Sequence, residues 1–497
     1  LKISDEKVFS HEEGEIDIIV ALDQNTINLH QKKLKENGII IGKKGLKGKN
    51  LVEIDTRKIL EEERAKQIGE NSILFGALLK YLNFDFEKIK GILKEVFGKL
   101  WENNEKLIER GYHEMNLNSN FNFEIKNEKR IFISGTEAFG LGAIFSGIDI
   151  YFAYPMTPST PLLHFLSERQ LKYNFLVKQL ENEIAVANAA LGASYAGAKV
   201  MIGTSGGGFA LMSEAMSLQG VSEVPLVVYL AQRVGPAVGV PTYTAQEDLK
   251  FVLNIGHSEF PRVVIAPGDP KEAFEKTVEA FYLAYKYRVL AILLSDKHLS
   301  ESNFTFENFE EPKIERSRFL IEPKEDYKNY LITEDGISPR TYPGSKAIVK
   351  ATSYEHDEFG ITTEDPEWIK KMKEKRIRKF ESLEKEVKER FEMVKVYGNG
   401  KNLIISWGST KGAILDFLKK NNQFKFLQIL YIEPFPKDIV KKEIENSEKV
   451  FVVENNSTSL LSQVIKEKIG IEIENKILKY DGRPFTPKEI EVRLNEN

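Results

Sequence analysis

The stretch LENEIAVANAALGASYAGAKVMIGTSGGGFALMSEAMSLQG, residues 180–220, decides the fold. Its small residues Ala185, Ala187, Ala189, Ala190, Gly192, Ala193 and Ala196 leave a helix almost without bulk, so something packs very close to it. Ala198–Gly203 then reads as a buried strand, and GTSGGG (Gly203–Gly208) as a turn into another helix. Short apolar strands alternating with helical patterns are the mark of a mostly parallel sheet covered on both faces. Working outward, Ile148–Ala153, Pro225–Ala231, Arg262–Ala266 and Val289–Ser295 read as further strands of that sheet. Asp269-Pro270-Lys271-Glu272 is a helix start, with Asp as N-cap, Pro at the first position and Glu three residues after the Asp. The periodic Phe274, Val278, Phe281 and Leu283 follow it. The predicted fold class is α/β, with this domain spanning 130–300.

Upstream, Glu15–Leu22 reads as a buried strand, a polar helix-like stretch runs to Asn37, and Gly38–Gly42 is the next strand. Apolar residues at helical spacing between Asn71 and Arg110 predict two amphipathic helices. These elements make a partial α/β domain over 1–116, closed by an Asn-rich linker at 117–129. Downstream, 301–397 reads as an extended linker and a long helix. Its polar part, Glu301–Thr363, is followed by Glu367–Val394, whose Ile369, Met372, Ile377, Phe380, Leu383, Val387, Phe391 and Val394 form one apolar stripe bridging two domains. The last domain, 398–497, returns to α/β through strands Leu403–Trp407, Phe426–Ile432 and Val450–Glu454, with helices after the first and the third.

Composition removes several function classes. Lys+Arg 70 against Asp+Glu 74 gives a net charge of −4, which supplies no basic field for a nucleic acid backbone. With no cysteine, the chain carries no disulfide, no thiolate nucleophile and no Cys-held iron–sulfur cluster of its own, so any redox cluster sits in a partner. The longest apolar runs, such as Leu226–Ala231, are strand-sized and far short of the ~18 residues of a membrane span. No export signal is read at the start, which predicts a cytoplasmic protein, and Leu1 in place of Met predicts an incomplete N-terminus.

Tyr154-Pro155-Met156-Thr157-Pro158-Ser159-Thr160 follows a strand directly, and its prolines fix the backbone on both sides of Thr157. From pattern alone a rigid turn capped by Ser159 or Thr160 is favoured over a catalytic loop. Glu183 stands at the start of the small-residue helix, where from pattern alone a carboxylate facing the helix dipole is the simpler reading. GTSGGG, with Ser205 and Gly206, offers backbone amides to an anion but lacks the spacing of a nucleotide motif. GSTKG (Gly408–Gly412) reads as an ordinary strand-to-helix turn. Arg233 ends a strand, where its planar fork suits a ligand carboxylate as well as it suits a domain-edge salt bridge. His257 and the run Glu355-His356-Asp357-Glu358 lack metal-ligand spacing and read as parts of solvated loops. No metal site is predicted.

YPMTPST after GTEAFGLGAI (Gly135–Ile144), together with residues 180–220, resembles the alpha chain of the 2-oxoacid:ferredoxin oxidoreductases. The N-terminal 116 residues resemble the latter part of the gamma domain often fused ahead of that chain, without its opening strand. VVENNSTSLLSQVI (Val452–Ile465) and ILKYDGRPFTPKEI (Ile477–Ile490) resemble the family's transketolase C-terminal-like domain. The resemblance implies a thiamine-diphosphate-fold pyrimidine-binding domain over 130–300 and CoA-dependent oxidative decarboxylation of a 2-oxoacid, with ferredoxin reduced. It implies Glu183 as the contact to the aminopyrimidine ring, Thr157 and Arg233 near the reacting carbon, and Tyr154, Pro155, Ser205 and Gly206 lining the cofactor site. It further implies a beta subunit bringing the diphosphate motif, Mg2+ and a [4Fe-4S] cluster, in a dimer of heterodimers. The chain departs from the family at Val234 and Ala237-Val238, where Gly and Ser-Thr are common. The YPMTP and SYEHDE-type stretches look most like the 2-oxoglutarate branch, with pyruvate and branched-chain acids open. Two rival readings stand beside this one: the beta chain of an NAD-linked 2-oxoacid dehydrogenase complex, and a non-catalytic assembly subunit.

Overall fold

The computed structural model describes residues 1–121, 123 and 130–496, so most of the expected linker at 117–129 lies outside the described residues. The chain divides into two compact units, Leu1–Glu128 and Lys129–Asn497.

In the first unit β1 (Ile16–Ala21), β2 (Leu34–Lys43) and β3 (Leu51–Ile54) form a parallel sheet in that order. Between β1 and β2 lies α1 (Gln24–His30), capped by the Asp23 carboxylate, which accepts from the Thr26 amide. The polar stretch to Asn37 is thus only partly helical. Lys35, Glu36 and Asn37 belong to the exposed beginning of β2, where a strand needs no apolar side chains. After α2 (Thr56–Glu62), residues 70–114 form three helices rather than the predicted two: α3 (Glu70–Tyr81), α4 (Phe86–Phe97) and α5 (Trp101–Glu114). Gly98, at φ +52°, ends α4. The third helix has a thin apolar pattern because it crosses α3 glycine to glycine. A Cβ on Gly111 would lie 1.9 Å from the Ile73 carbonyl oxygen, and one on Gly76 1.9 Å from that of Ile108.

The second unit opens with β4 (Ile131–Ser134) and α6 (Gly135–Phe145), joined by a capping box between Ser134 and Glu137. Then come β5 (Ile150–Ala153), α7 (Thr160–Tyr173), β6 (Leu176–Gln179), α8 (Glu183–Tyr195), β7 (Val200–Thr204), α9 (Gly206–Leu211), α10 (Ser213–Ser222), β8 (Leu226–Gln232), α11 (Leu249–Leu253), β9 (Arg262–Ile265), α12 (Pro270–Tyr287), β10 (Leu290–Asp296), α13 (Lys297–Glu301) and β11 (Asn303–Phe306). β11 pairs with β4 in a separate antiparallel ribbon. The main sheet is parallel in the order β9-β10-β8-β7-β5-β6. Asp269 caps α12 as the sequence requires, accepting from the Glu272 amide at 2.9 Å.

After a long irregular stretch, α14 (Pro366–Arg390) begins at Asp365, its N-cap. Its inward face is not the purely apolar stripe expected: Ile377 is 58 % exposed, while Lys375 and Lys379 are wholly buried. Both lysines donate to the carboxylate of Glu223, itself wholly buried, at 2.7 Å each. Charged residues enter a protein interior only when paired in this way. Glu355–Glu358 is likewise not a solvated loop. Glu355 pairs with Arg376, Glu358 with Lys328 at 2.6 Å, and His356 is buried against the Tyr330 ring, its pKa lowered to about 4 chiefly by burial.

The C-terminal elements are β12 (Val394–Tyr397), β13 (Asn402–Ser406), α15 (Lys411–Leu418), β14 (Phe424–Ile429), β15 (Tyr431–Glu433), α16 (Lys437–Glu445), β16 (Lys449–Glu454), α17 (Leu460–Ile469), β17 (Asn475–Leu478) and α18 (Pro487–Asn495). The strand expected at Phe426–Ile432 is two strands. β14 lies in the five-stranded sheet β12-β14-β13-β16-β17, whereas β15 leaves it and pairs antiparallel with β9 as an edge of the main sheet. The two sheets share one apolar core, in which Val228, Leu249 and Val264 pack with Trp407, Leu427 and Val452.

Candidate active site

Adjacent strands β8, β7, β5 and β6 are parallel, so their carboxyl ends open onto one edge of the sheet. That edge is where open α/β sheets bind ligands. The chain places there the YPMTPST loop after β5, Glu183 after β6, the Gly-rich turn after β7 and Arg233 after β8.

Tyr154 and Pro155 are exposed at the rim. Thr157 lies deeper, and its carbonyl oxygen accepts from Nη1 of Arg233 at 2.7 Å. The structure therefore brings these two residues together. Ser159 makes no capping bond to α7, as its hydroxyl donates to the Met156 carbonyl and braces the loop from within. The peptide bonds Thr157–Pro158 and Gly235–Pro236 are both cis. Thr157 also lines a cavity of about 560 Å³ with Thr136, Thr160, His164, Arg169 and Ser300.

The cap of α8 is Asn182, whose side chain accepts from the Ala185 amide at 2.9 Å, so Glu183 is not needed for capping. Glu183 is only 3 % exposed, and its Oε1 has no hydrogen-bond partner among the described residues. Ser205 is wholly buried, and its Oγ is likewise without a partner among the described residues. Buried polar atoms are nearly always paired, and two orphans on neighbouring loops mark a place where a ligand completes the bonding. The glycines make the room. A Cβ on Gly208 would sit 2.7 Å from Glu183 Oε1, and one on Gly206 2.4 Å from the Asp248 carboxylate. Gly207 bridges the loops, since its Cβ position lies 3.5 Å from the Ala237 carbonyl oxygen and 3.9 Å from the Met156 side chain. A buried carboxylate and a free hydroxyl beside a side-chain-free turn fit an aminopyrimidine, which offers a ring nitrogen and an exocyclic amine.

Arg233 is 8 % exposed, and no carboxylate among the described residues lies within 4.0 Å of it. Burial draws its guanidinium below the ordinary value, and Asp248 opposes that. Asp248 is a site residue that sequence reasoning missed. Its signal is the acidic pair Glu247-Asp248 at the far end of the loop that Arg233 begins. Burial, with Glu247 adding and Arg233 opposing, pushes the Asp248 carboxyl up to about 6. Gln232 was also missed; its Oε1 accepts from the Asp248 amide at 3.0 Å and closes this loop.

His257 and Glu355 stand apart from the site. They line a cavity of about 1200 Å³ to which Thr157, Glu183 and Arg233 do not contribute, and His257 Nδ1 is 2.9 Å from Ser217 Oγ.

Residues 141–374 match the family described as pyruvate flavodoxin/ferredoxin oxidoreductase, thiamine diP-bdg, and residues 1–114 match the family described as pyruvate ferredoxin/flavodoxin oxidoreductase. The alpha subunit of 2-oxoacid:ferredoxin oxidoreductase 1 from Sulfurisphaera tokodaii is 37 % identical over 452 residues, covering 87 % of this chain and 71 % of the relative. The 2-oxoglutarate synthase subunit KorA from Archaeoglobus fulgidus is 30 % identical over 347 residues, covering 67 % of this chain and 89 % of the relative. A solved 2-oxoglutarate:ferredoxin oxidoreductase from Magnetococcus marinus, with 2-oxoglutarate, coenzyme A and succinyl-CoA bound, superposes with a TM-score of 0.90 at 28 % identity, over 99 % of this chain and 90 % of that one. With relatives of this identity and coverage, and with the thiamine-diphosphate-binding family matched across the strand ends that hold Thr157, Glu183 and Arg233, the chain belongs to the 2-oxoacid:ferredoxin oxidoreductases as an alpha subunit.

Proposed function

We propose that this chain supplies the pyrimidine side of a thiamine diphosphate site in an enzyme that oxidatively decarboxylates 2-oxoglutarate with coenzyme A. The observation that carries the proposal is the unpartnered, buried carboxylate oxygen of Glu183 beside Gly208. Thiamine diphosphate, when bound, supplies the thiazolium carbon on which decarboxylation takes place. Glu183 stabilises a protonated ring nitrogen, a task that calls for a carboxylate in a dry setting. Ser205, without a partner of its own, offers a second polar contact. Tyr154, Pro155 and Gly206 line the same edge. Arg233 gives one of its five N–H donors to the Thr157 carbonyl, which anchors one end of the guanidinium and leaves the others to hold the 2-oxoacid carboxylate. The choice of 2-oxoglutarate is supported by the names of the Archaeoglobus and Magnetococcus relatives.

A beta subunit completes the enzyme in this reading. It brings the diphosphate motif, Mg2+ and a [4Fe-4S] cluster, which passes electrons to ferredoxin, and the assembly is a dimer of heterodimers in the cytoplasm. The absence of cysteine from this chain supports a divided site. So do the exposed apolar side chains on the segments that carry the site: Ile184 at 52 %, Leu211 at 53 % and Val238 at 67 %. No helix among the described residues is long and apolar enough to cross a membrane.

The chain purified alone should reduce no viologen with any 2-oxoacid, and the chain assembled with its beta partner should reduce viologen or ferredoxin, but not NAD, when given 2-oxoglutarate and coenzyme A. Turnover by the single chain, or NAD reduction by the complex, would refute the divided-site reading. Preference for pyruvate over 2-oxoglutarate in the complex would refute the substrate.

A further inference from the structure

The loop from Arg233 to Asp248 forms no helix or strand; within it Val234 bridges Val240 and the Gly235 amide donates to Glu247 Oε2 at 2.8 Å. A loop of this length does not by itself hold a guanidinium still. At its ends Gln232 ties the Asp248 amide to the Ser295 carbonyl, with Nε2 donating to the latter at 3.0 Å. Two residues before Asp248 stands Gln246, wholly buried, with all its hydrogen-bonding groups engaged by the C-terminal domain. Its amide donates to the Asn455 carbonyl at 2.8 Å, and its own carbonyl accepts from Asn456 Nδ2 at 3.0 Å. Its Nε2 donates to the Trp407 carbonyl at 2.8 Å, and its Oε1 accepts from the Asn455 amide at 2.9 Å.

The socket is itself rigid. Asn455 Nδ2 donates to the Arg483 carbonyl at 3.0 Å, and Asn456 Nδ2 also donates to the buried carboxylate of Glu454 at 3.0 Å. Gly408 stands at φ +62°, where any side chain is strained, and a Cβ there would also meet Gln246 Nε2 at 2.8 Å. Trp407, ahead of the GST turn, and Asn455 and Asn456 of the ENN stretch thus bond one glutamine in the loop that begins with Arg233, with Arg483 of DGRP bracing Asn455 from behind.

We propose that Gln246 is a positioning residue through which the C-terminal domain holds Arg233 in place for the substrate carboxylate. This rests on the reading of Arg233 given above. A fully satisfied buried network of this kind has one low-energy arrangement, and loosening it releases the loop rather than removing a contact to substrate.

The test is a double-mutant cycle on the complex assembled with its beta partner, using Gln246→Met, which keeps the volume and removes both side-chain bonds, and Arg233→Lys. Gln246→Met should raise KM for the 2-oxoacid about tenfold with kcat changed less than threefold. The double variant should be no worse than Arg233→Lys alone within about twofold, because both changes act through one guanidinium. If Arg233→Lys lowers kcat/KM while Gln246→Met leaves KM within about twofold, or if the two losses multiply, the inference is wrong and the role of Arg233 stands. An Arg233→Lys enzyme with native kcat/KM would remove the reading beneath it, and the inference with it. Should Gln246→Met not fold, Gly408→Ala pushes the same amide from its socket. It should raise KM severalfold, and an unchanged KM there would equally overturn the inference.

Discussion

Glu183→Gln separates two roles for one side chain by the sign of a stability change. If Glu183 only complements the positive end of α8, neutralising it removes a dipole interaction of about 0.3–1 kcal/mol and the chain melts lower. If its carboxylate is held in readiness for a cofactor, the chain without cofactor carries a buried, unpartnered oxygen, and such groups cost about 1–3 kcal/mol. Replacing that carboxylate by an amide should then leave the melting temperature level or raise it by roughly 2 °C. Binding should move the other way. A hydrogen bond to a charged group contributes about 1.5–3 kcal/mol, so thiamine diphosphate affinity in the assembled enzyme should fall ~10- to 150-fold. Turnover at saturating cofactor should fall ~10²–10⁴-fold, the usual share of a group that stabilises a proton in place. Differential scanning calorimetry on the chain alone, titration calorimetry with thiamine diphosphate and viologen reduction give the three quantities. A lower melting temperature with native turnover would return Glu183 to the dipole role.

Glu223→Gln leaves Lys375 and Lys379 buried without their anion, so the chain should lose ~3–5 kcal/mol of stability, read in denaturant titration, with its site chemistry untouched. An unchanged midpoint would show that the lysines find water instead. Asp248 holds its proton in the folded chain up to about pH 6, whereas the unfolded chain releases it near pH 4. Stability should therefore fall as pH rises between those values, because there the unfolded state binds fewer protons, and Asp248→Asn should flatten that part of a melting-temperature profile. The same slope in the variant would assign it to another group.

How far the sequence speaks depends on what holds each element. The strands at Val200–Thr204 and Leu226–Gln232 are buried throughout and continuous in apolar character, so they were legible. The start of α12 was equally plain, because its N-cap, proline and glutamate are local. Helix α5 escaped because Gly111 stands where a periodic pattern wants a large apolar residue. The buried lysines of α14 escaped because their partner, Glu223, is more than 150 residues away. At the site, Thr157, Glu183 and Arg233 were singled out by the family resemblance of their stretches rather than by pattern, whereas Asp248 and Gln246 acquire meaning only through long-range closure of a loop. Pattern reasoning reaches bonds between near neighbours and stops where tertiary contacts choose the partner.

The crossing of β15 from one sheet to the other bears on how this chain can be divided. Tyr431 and Glu433 finish the main sheet at Ile265 and Val264, so residues from inside a supposed separate module are the outermost strand of the one before it. Cut after Tyr397, the chain would expose the backbone groups of β9 along an open, apolar margin, an invitation to pair with another copy. The C-terminal region is accordingly not interchangeable cargo. Swapping it between relatives would transplant a strand of the recipient's own sheet, and chimaeras should fold only when the junction lies beyond Glu433 or when both sides of the seam travel together.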